Sequence, residues 1–279
     1  MKTLDSAELK KNFADVRKLY TDTAHTNSVS ILLQGKPGVG KTSTLLTGPK
    51  PILAYAFDPS YEALSDVRTG IEEGWLFVVL LNNENSNAPT EYKKFKEIAS
   101  AHLDSGFLNA FGTIGIDVLT GGSGGLVEAL ANEIRKNPKS FGVYETKERP
   151  QGALFPADYQ PLYDSVRSWI RRLQSTDAVF ICTAHTSVDK DDLTGRIVTD
   201  VDTFKGLRTM IPALFTERYH LTKETKGQTL EYKLFTNTQN SLDASTKIGK
   251  GKFALEETPN IRELLKKAGL PATDKPYNF

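Results

Sequence analysis

The most informative stretch of the sequence is Gly35-Lys36-Pro37-Gly38-Val39-Gly40-Lys41-Thr42, which fits the pattern G-x-x-x-x-G-K-[ST] at every fixed position. The apolar run Val-Ser-Ile-Leu-Leu-Gln at 29–34 predicts a buried strand before it. Residues 41–46 predict a helix after it. A strand before and a helix after the glycines are the structural context that this motif requires.

The residue types in this stretch suit the binding of phosphate groups. Glycines let the backbone curl so that its N–H groups point inward at phosphate oxygens, and the start of the helix adds a positive dipole end. Lys41 offers a mobile cation to the β- and γ-phosphates, and the Thr42 hydroxyl can bind magnesium. We therefore expect ATP and Mg²⁺ to bind here, with the nucleotide held by Gly35, Lys36, Pro37, Gly38, Val39, Gly40, Lys41, Thr42 and Ser43.

A phosphate loop of this kind needs a carboxylate at the end of a neighbouring strand to hold the metal. The best candidate is Asp117, which ends the apolar stretch 111–116 and precedes a glycine-rich turn. The alternative is that Asp117 simply caps that turn. Asp58, at the end of the strand 52–57, is the rival carboxylate. We expect Thr42 and Asp117 to be the metal ligands.

Hydrolysis also needs a group that orients or deprotonates the attacking water. Asp58 is the candidate for that role, and Glu62 follows it by about one helical turn. The strand 178–183 leads to Thr183 and His185, where a strand end would face the nucleotide. His185 is expected to sense the γ-phosphate, and the alternative is an ordinary histidine at a strand end. The expected catalytic residues are thus Lys41, Asp58, Asp117 and His185.

Short apolar runs alternate with helical patterns through the middle of the chain. This alternation predicts a mainly parallel sheet flanked by helices on both faces. Residues 213–221 and 229–235 flank a polar turn at 223–228, which predicts an antiparallel hairpin extending the sheet at one edge. Predicted strands are 29–33, 52–57, 76–81, 113–116 and 178–183; predicted helices are 5–20, 41–46, 90–103, 126–136, 159–174 and 260–268. We expect an N-terminal helical arm at 1–27, one α/β core at 28–255, and a C-terminal helix and tail at 256–279.

Composition excludes several classes of protein. The 279 residues carry 35 basic and 34 acidic side chains, so no overall positive charge would hold a nucleic acid. The single cysteine, Cys182, excludes an internal disulfide and a cysteine-based metal cluster. The longest wholly apolar run, Trp75 to Leu81, is seven residues, and a membrane span needs about 20. The first residues lack the apolar region of a secretory signal. The expectation is a cytoplasmic protein that does not bind membranes.

The phosphate loop, the strand ends at Asp58 and Asp117 and the strand to His185 occur in the order of a RecA-type ATPase core. The chain resembles the RecA-like P-loop ATPases, and among them the compact phage-encoded nucleotide-binding proteins of the single-strand annealing recombinase group. The resemblance covers residues 28 to 255. It implies DNA recombination or repair in a bacterial host cell, single-stranded DNA as partner, and a single-strand binding protein as a possible second partner. RecA-like proteins usually carry a glutamate after the strand that follows the phosphate loop, and here that strand end reads Phe-Asp-Pro-Ser-Tyr-Glu at 57–62.

The resemblance also implies a homo-oligomer with ATP at the subunit interface. Basic residues of one subunit would reach the ATP of the next, and Lys247 and Lys250 match that pattern loosely. The alternative is a solvated basic turn. Two loops are expected to face DNA. The loop 139–156 combines cations with aromatic rings, which suits single strands without sequence preference. The alternative is a surface insertion whose aromatic rings pack inward. The loop 186–205 has a net charge of 3 − 5 = −2, which disfavours contact with a nucleic acid backbone.

Three other classes of protein are compatible with the sequence. A replicative helicase or a helicase loader would use the same ATPase core. A nucleotide-gated oligomeric scaffold with little hydrolysis is suggested by the absence of a glutamate directly at the Asp58 strand end. A small-molecule kinase would need an arginine-rich lid, and Arg167, Arg171 and Arg172 fall on one predicted helix that reads more simply as a solvated face.

Overall fold

The computed structural model describes residues 10–11, 13–15, 29–81, 90–120, 124–143, 154–190, 197–239 and 241–276. Residues 10–11 and 13–15 are helical, as the amphipathic pattern predicts. The rest of the expected N-terminal arm lies outside the described residues.

Ten strands and seven α-helices make up the described part of the chain, apart from the short N-terminal helical residues. The strands are β1 (Ser30–Gln34), β2 (Ile52–Ala56), β3 (Leu76–Leu80), β4 (Thr113–Thr120), β5 (Val179–Ala184), β6 (Thr186–Lys190), β7 (Ile197–Val201), β8 (Glu217–Lys226), β9 (Thr229–Phe235) and β10 (Glu256–Glu257). The helices are α1 (Lys41–Leu45), α2 (Ser65–Glu72), α3 (Glu91–Asp104), α4 (Leu126–Lys136), α5 (Pro156–Gln174), α6 (Lys205–Ala213) and α7 (Ile261–Ala268).

Eight of the strands form one sheet in the order β10-β9-β8-β1-β5-β4-β2-β3. The six strands from β8 to β3 run parallel, and β9 and β10 extend the sheet with antiparallel pairing. Strand β5 lies between β1 and β4, so β1 has β5 on one side and β8 on the other. This mainly parallel sheet with an antiparallel C-terminal extension is the RecA-like fold that the sequence predicts.

Helices cover both faces of the sheet, which explains why the central strands are apolar on both sides. One face packs against α3, α4, α5 and α6 through residues such as Phe95, Leu130 and Trp169. The other face packs against α1, α2 and α7 through residues such as Leu45 and Leu264. The two layers hold the carboxyl ends of β1, β2, β4 and β5 at a common edge.

Several boundaries differ from the sequence predictions. Strand β4 continues to Thr120 instead of ending at 116, so Asp117 is part of the strand; its regular pairing with β5 is interrupted between Ile116 and Thr120. Strand β8 begins at Glu217 and continues to Lys226, because pairing with β9 extends through residues that have no apolar pattern. Helix α5 begins one turn early, at Pro156, because the Asp158 carboxylate accepts the Phe155 N–H at 2.8 Å. The sequence did not predict α2, α6 or the hairpin β6–β7.

Candidate nucleotide-binding site

The phosphate loop connects β1 to α1 and depends on glycine geometry. Strand β1 is buried along its whole length, which fixes the start of the loop. Gly38 and Gly40 have φ values of 72° and 85°, in the left-handed region that favours glycine. At Gly35 a Cβ atom would lie 2.5 Å from the carbonyl oxygen of Leu221 on β8. Glycine at this position lets the loop lie directly against the β8 backbone.

Lys41 is buried inside this loop, with 6% of its surface exposed. Its ammonium group donates to the carbonyl oxygens of Gly35 and Lys36, both at 2.9 Å. Burial lowers the pKa of Lys41 to about 8, and the charges of Asp117 and Asp58 act in the opposite direction. The loop therefore holds a partly desolvated cation, which an entering phosphate anion would stabilise.

Asp117 joins the loop to the centre of the sheet. Thr42 Oγ1 donates to Asp117 Oδ2 at 2.7 Å, and Thr183 Oγ1 donates to the other oxygen, Oδ1. Burial raises the pKa of Asp117, while the two hydroxyl donors and the charge of Lys41 oppose that shift and the charge of Asp58 adds to it. The predicted metal ligands Thr42 and Asp117 are thus brought into direct contact by the fold.

The donors in this contact fit a magnesium ion. A hydroxyl oxygen and a carboxylate oxygen are hard ligands, and Mg²⁺ in phosphate sites is commonly held by one or two protein oxygens together with phosphates and water. Within the described ranges, no group of three His, Cys, Asp or Glu side chains could hold a metal ion. A metal at this site would find Thr42 and Asp117 as protein ligands, with phosphates and water completing its shell.

Asp58 lies at the same edge of the sheet, just beyond β2. Its Oδ1 accepts the Ser60 N–H at 2.8 Å and the Ser60 hydroxyl at 2.7 Å, which closes a tight turn. Its charge acts on Lys41, Asp117 and His185. The fold thus brings Asp58 into the site with the other candidates. Glu62, in the 3-10 helix 61–63, has an exposed side chain.

His185 directly follows β5 and is held through its backbone. Its N–H donates to the Thr120 carbonyl at 3.0 Å, and its carbonyl accepts the Asp202 N–H at 2.9 Å. Burial lowers the pKa of His185, and the charge of Lys41 lowers it further, while Asp58 and Asp202 act in the opposite direction. A neutral imidazole therefore stands within electrostatic reach of Lys41. Its role in sensing phosphate stays a prediction.

Lys247 and Lys250 lie in a turn that packs on β8. The Lys247 N–H donates to the buried carboxylate of Glu217 at 2.8 Å, and the Ile248 N–H donates to the same oxygen at 3.1 Å. Both lysine side chains are exposed. Among the described residues, no hydrogen bond or ion pair joins either side chain to the phosphate loop of its own chain. Their contribution to a neighbouring subunit stays a prediction.

The two loops expected to face DNA are described only in part. In the first, Lys139 and Phe141 lie in the 3-10 helix 138–141, and Phe141 packs inward, with its ring 6.2 Å from that of Tyr92. Residues 144–153 of this loop, including Tyr144, Lys147 and Arg149, lie outside the described residues. The second loop forms the hairpin β6–β7, and Arg208 of α6 pairs with Asp189 of β6 at 2.5 Å. Its residues 191–196 also lie outside the described residues.

Three residues near the phosphate loop were not identified from the sequence. Tyr61 is buried, and its hydroxyl has no hydrogen-bond partner among the described residues. Burial raises the pKa of Tyr61, and the charge of Asp117 raises it further. Lys223 and Tyr232, from the hairpin β8–β9, lie beside Gly38 and Gly40. No local motif marks Lys223 and Tyr232, because they reach the loop only through the pairing of β8 with β1.

The fold and this site define a RecA-like P-loop protein. The AAA domain family matches residues 27–247, which is most of the chain, so the protein belongs to this family of P-loop ATPases. No curated protein matches the sequence. Many solved structures are similar. One is the flagellar accessory protein FlaH from Methanocaldococcus jannaschii, with 10% identity, a TM-score of 0.42, and coverage of 83% of this chain and 84% of that chain. Among the described helices, none is both long and apolar enough to span a membrane.

Proposed function

We propose that the protein binds ATP together with Mg²⁺ and hydrolyses it at the phosphate loop. The contact between Thr42 Oγ1 and Asp117 Oδ2, at 2.7 Å, carries this proposal. It places the two expected metal ligands side by side at the start of α1, next to a buried lysine whose pKa is lowered to about 8 by burial. A buried cation beside a hard-oxygen pair suits a polyphosphate with its metal.

Each residue of the site has a separate task in this proposal. The backbone N–H groups of residues 35–42 bind phosphate oxygens, and Lys41 moves from the Gly35 and Lys36 carbonyls to the phosphates. Thr42 and Asp117 hold the magnesium ion, which when bound neutralises charge that develops on the phosphates. Thr183 keeps the Asp117 carboxylate in position. Asp58 orients the attacking water through Oδ2, since Ser60 occupies Oδ1.

A nucleotide-gated scaffold with little hydrolysis is the second candidate. The position of Asp58 favours this candidate, because its side chain is shorter than that of a glutamate. Its Oδ1 also accepts hydrogen bonds from the Ser60 N–H at 2.8 Å and the Ser60 hydroxyl at 2.7 Å. Slow turnover together with tight nucleotide binding would support this candidate.

We further propose that the ATPase acts in DNA recombination or repair as a homo-oligomer, with a helicase or helicase loader as the alternative. The support is the resemblance to RecA-like proteins and the exposed side chains of Lys247 and Lys250, which are accessible to a neighbouring subunit. A role on single-stranded DNA predicts that such DNA stimulates hydrolysis. Strand displacement assayed with and without a single-strand binding protein distinguishes the helicase alternative.

The test is phosphate release from ATP with Mg²⁺ or with a chelator, in the presence and absence of single-stranded DNA, alongside particle size by light scattering. Lys41→Ala should abolish turnover without unfolding the protein. Asp117→Asn should lower turnover about 100-fold, because metal-ion catalysis contributes several kcal/mol. Asp164→Asn is the matched control, since this carboxylate is exposed on α5 and contacts Arg167 at 3.4 Å and Gln160 at 2.9 Å on the same helix. Turnover that persists in the chelator or in Lys41→Ala would refute the proposal.

A further inference from the structure

The hairpin β8–β9 extends beyond the edge of the sheet that carries the phosphate loop. Strand β8 pairs with β1 only as far as His220, opposite Gln34, and its remaining residues pair with β9 alone. On one face of this hairpin, the pair Leu221 and Leu234 is buried in the core beneath the loop. Side chains alternate along a strand, so the next pair on the same face is Lys223 and Tyr232.

This second pair lies against the phosphate loop. The Tyr232 ring atoms Cδ1 and Cε1 are 3.3 Å and 3.6 Å from the point where a Cβ of Gly40 would stand. Lys223 Nζ is 3.4 Å from the corresponding point at Gly38. Tyr232 nevertheless keeps 43% of its surface exposed. A large aromatic ring is therefore held beside the loop with much of its surface open to solvent.

The order of the strands fixes which end of a nucleotide would reach this ring. Asp117 on β4 and Asp58 after β2 lie on one side of β1, and the hairpin β8–β9 lies on the other. In the proposed function Thr42 and Asp117 hold the metal together with the terminal phosphates, which would then lie on the β4 side. A triphosphate bound in the loop then extends away from that pair, so its sugar and base emerge towards the hairpin.

We propose that Tyr232 is the base-binding residue of this site and stacks on the purine ring of the bound nucleotide, within the same subunit as the phosphate loop. This inference rests on the proposed function and adds to it the contact for the nucleoside part of the ligand. An aromatic side chain stacks on any base without reading its hydrogen-bonding edge. Lys223 on the same face adds a positive charge beside the ring.

The experiment compares two ligands that differ only in the nucleoside, ATP and inorganic tripolyphosphate, each with Mg²⁺. Their dissociation constants are measured by calorimetry for the wild type and for Tyr232→Ala, Tyr232→Phe and Glu231→Ala. Glu231 is the control position, since it neighbours Tyr232 in β9 and points to the opposite face of the hairpin. Thermal unfolding of each variant checks that the hairpin remains folded.

We expect Tyr232→Ala to weaken ATP about tenfold, in line with base–aromatic stacking, and to leave tripolyphosphate unchanged. Tyr232→Phe and Glu231→Ala should bind both ligands as the wild type does. Equal loss for ATP and tripolyphosphate in Tyr232→Ala would overturn the proposal, because the ring would then only support the loop. So would an unchanged ATP affinity, or a loss in Tyr232→Phe as large as in Tyr232→Ala.

The proposed function and the base contact of Tyr232 can be refuted separately. Wild-type protein that binds neither ligand would overturn the proposed function and the base contact with it. Wild-type protein that binds tripolyphosphate as tightly as ATP would leave the phosphate site standing and overturn the assignment of Tyr232.

Discussion

The ammonium group of Lys41 should change its charge within an ordinary pH range, and nucleotide binding should follow it. Burial lowers the pKa of Lys41 to about 8 in the ligand-free protein. A bound polyphosphate would raise that pKa again, because an adjacent anion favours the charged form. The protonated loop therefore binds the anion more tightly, and affinity falls as the pH rises above about 8.

The magnitude follows from the protonated fraction. A group with a pKa of about 8 is ~76% protonated at pH 7.5 and ~3% protonated at pH 9.5, whereas an ordinary lysine stays mostly charged. If the bound lysine remains charged throughout, the affinity for ATP should fall about 25-fold across this range, or ~1.9 kcal/mol. At pH 8, binding should take up roughly half a proton.

Isothermal titration calorimetry measures the affinity for ATP directly. It gives the proton uptake from the binding enthalpies in two buffers of different ionisation enthalpy. ATP suits the range, since its phosphates are fully ionised above about pH 7.5. Lys41→Arg is the matched control, because a guanidinium keeps its charge over the whole range. Affinity of the wild type that stays constant from pH 7.5 to 9.5, or a decline of the same size in Lys41→Arg, would refute the reasoning.

Three further substitutions test the support of the site. Thr183→Val removes the hydroxyl that donates to Asp117 Oδ1, so the pKa of Asp117 should rise further. Half-maximal ATPase activity should then need more Mg²⁺ near pH 6 than near pH 8, and equal Mg²⁺ requirements at the two pH values would contradict this. Gly35→Ala places a Cβ 2.5 Å from the Leu221 carbonyl oxygen, and denaturant unfolding should show a loss of about 2 kcal/mol or more, whereas a change below about 0.5 kcal/mol would contradict that contact. Glu217→Ala removes the buried acceptor of the Tyr219 hydroxyl and of the Lys247 and Ile248 N–H groups. It should lower the free energy of unfolding by about 2–4 kcal/mol and increase hydrogen exchange at residues 246–249. Unchanged hydrogen exchange at these residues would contradict the anchoring role of Glu217.

Much of the fold was predictable because its signals are local. Strands such as β2 and β3 are continuous apolar runs, and α4 was predicted at its observed bounds, 126–136, from its amphipathic pattern. Helix α2 was missed because the polar stretch 65–72 buries only two residues, Val67 and Gly70. The outer half of β8 was missed for a related reason, since its exposed residues are extended only because β9 pairs with them.

The candidate site shows the same division. Each carboxylate near the loop could be proposed from its place after an apolar run, since the ends of parallel strands meet at one edge of the sheet. The sequence could not show that Thr183, 66 residues from Asp117 in the chain, donates to it. It also could not show that Ser60 occupies one oxygen of Asp58. Such contacts depend on side-chain positions that only packing fixes.

The amino-acid sequence by itself determined the phosphate loop, the alternation of strands and helices and the carboxylates that accompany them, because short-range sterics and hydrophobic periodicity act along neighbouring residues. Only the tertiary structure decided that β5 lies between β1 and β4 and that β8 carries Tyr232 and Lys223 to the other side of the loop. Strand order and side-chain contacts over long separations arise from burying two faces of one sheet at once, and no local pattern encodes that choice.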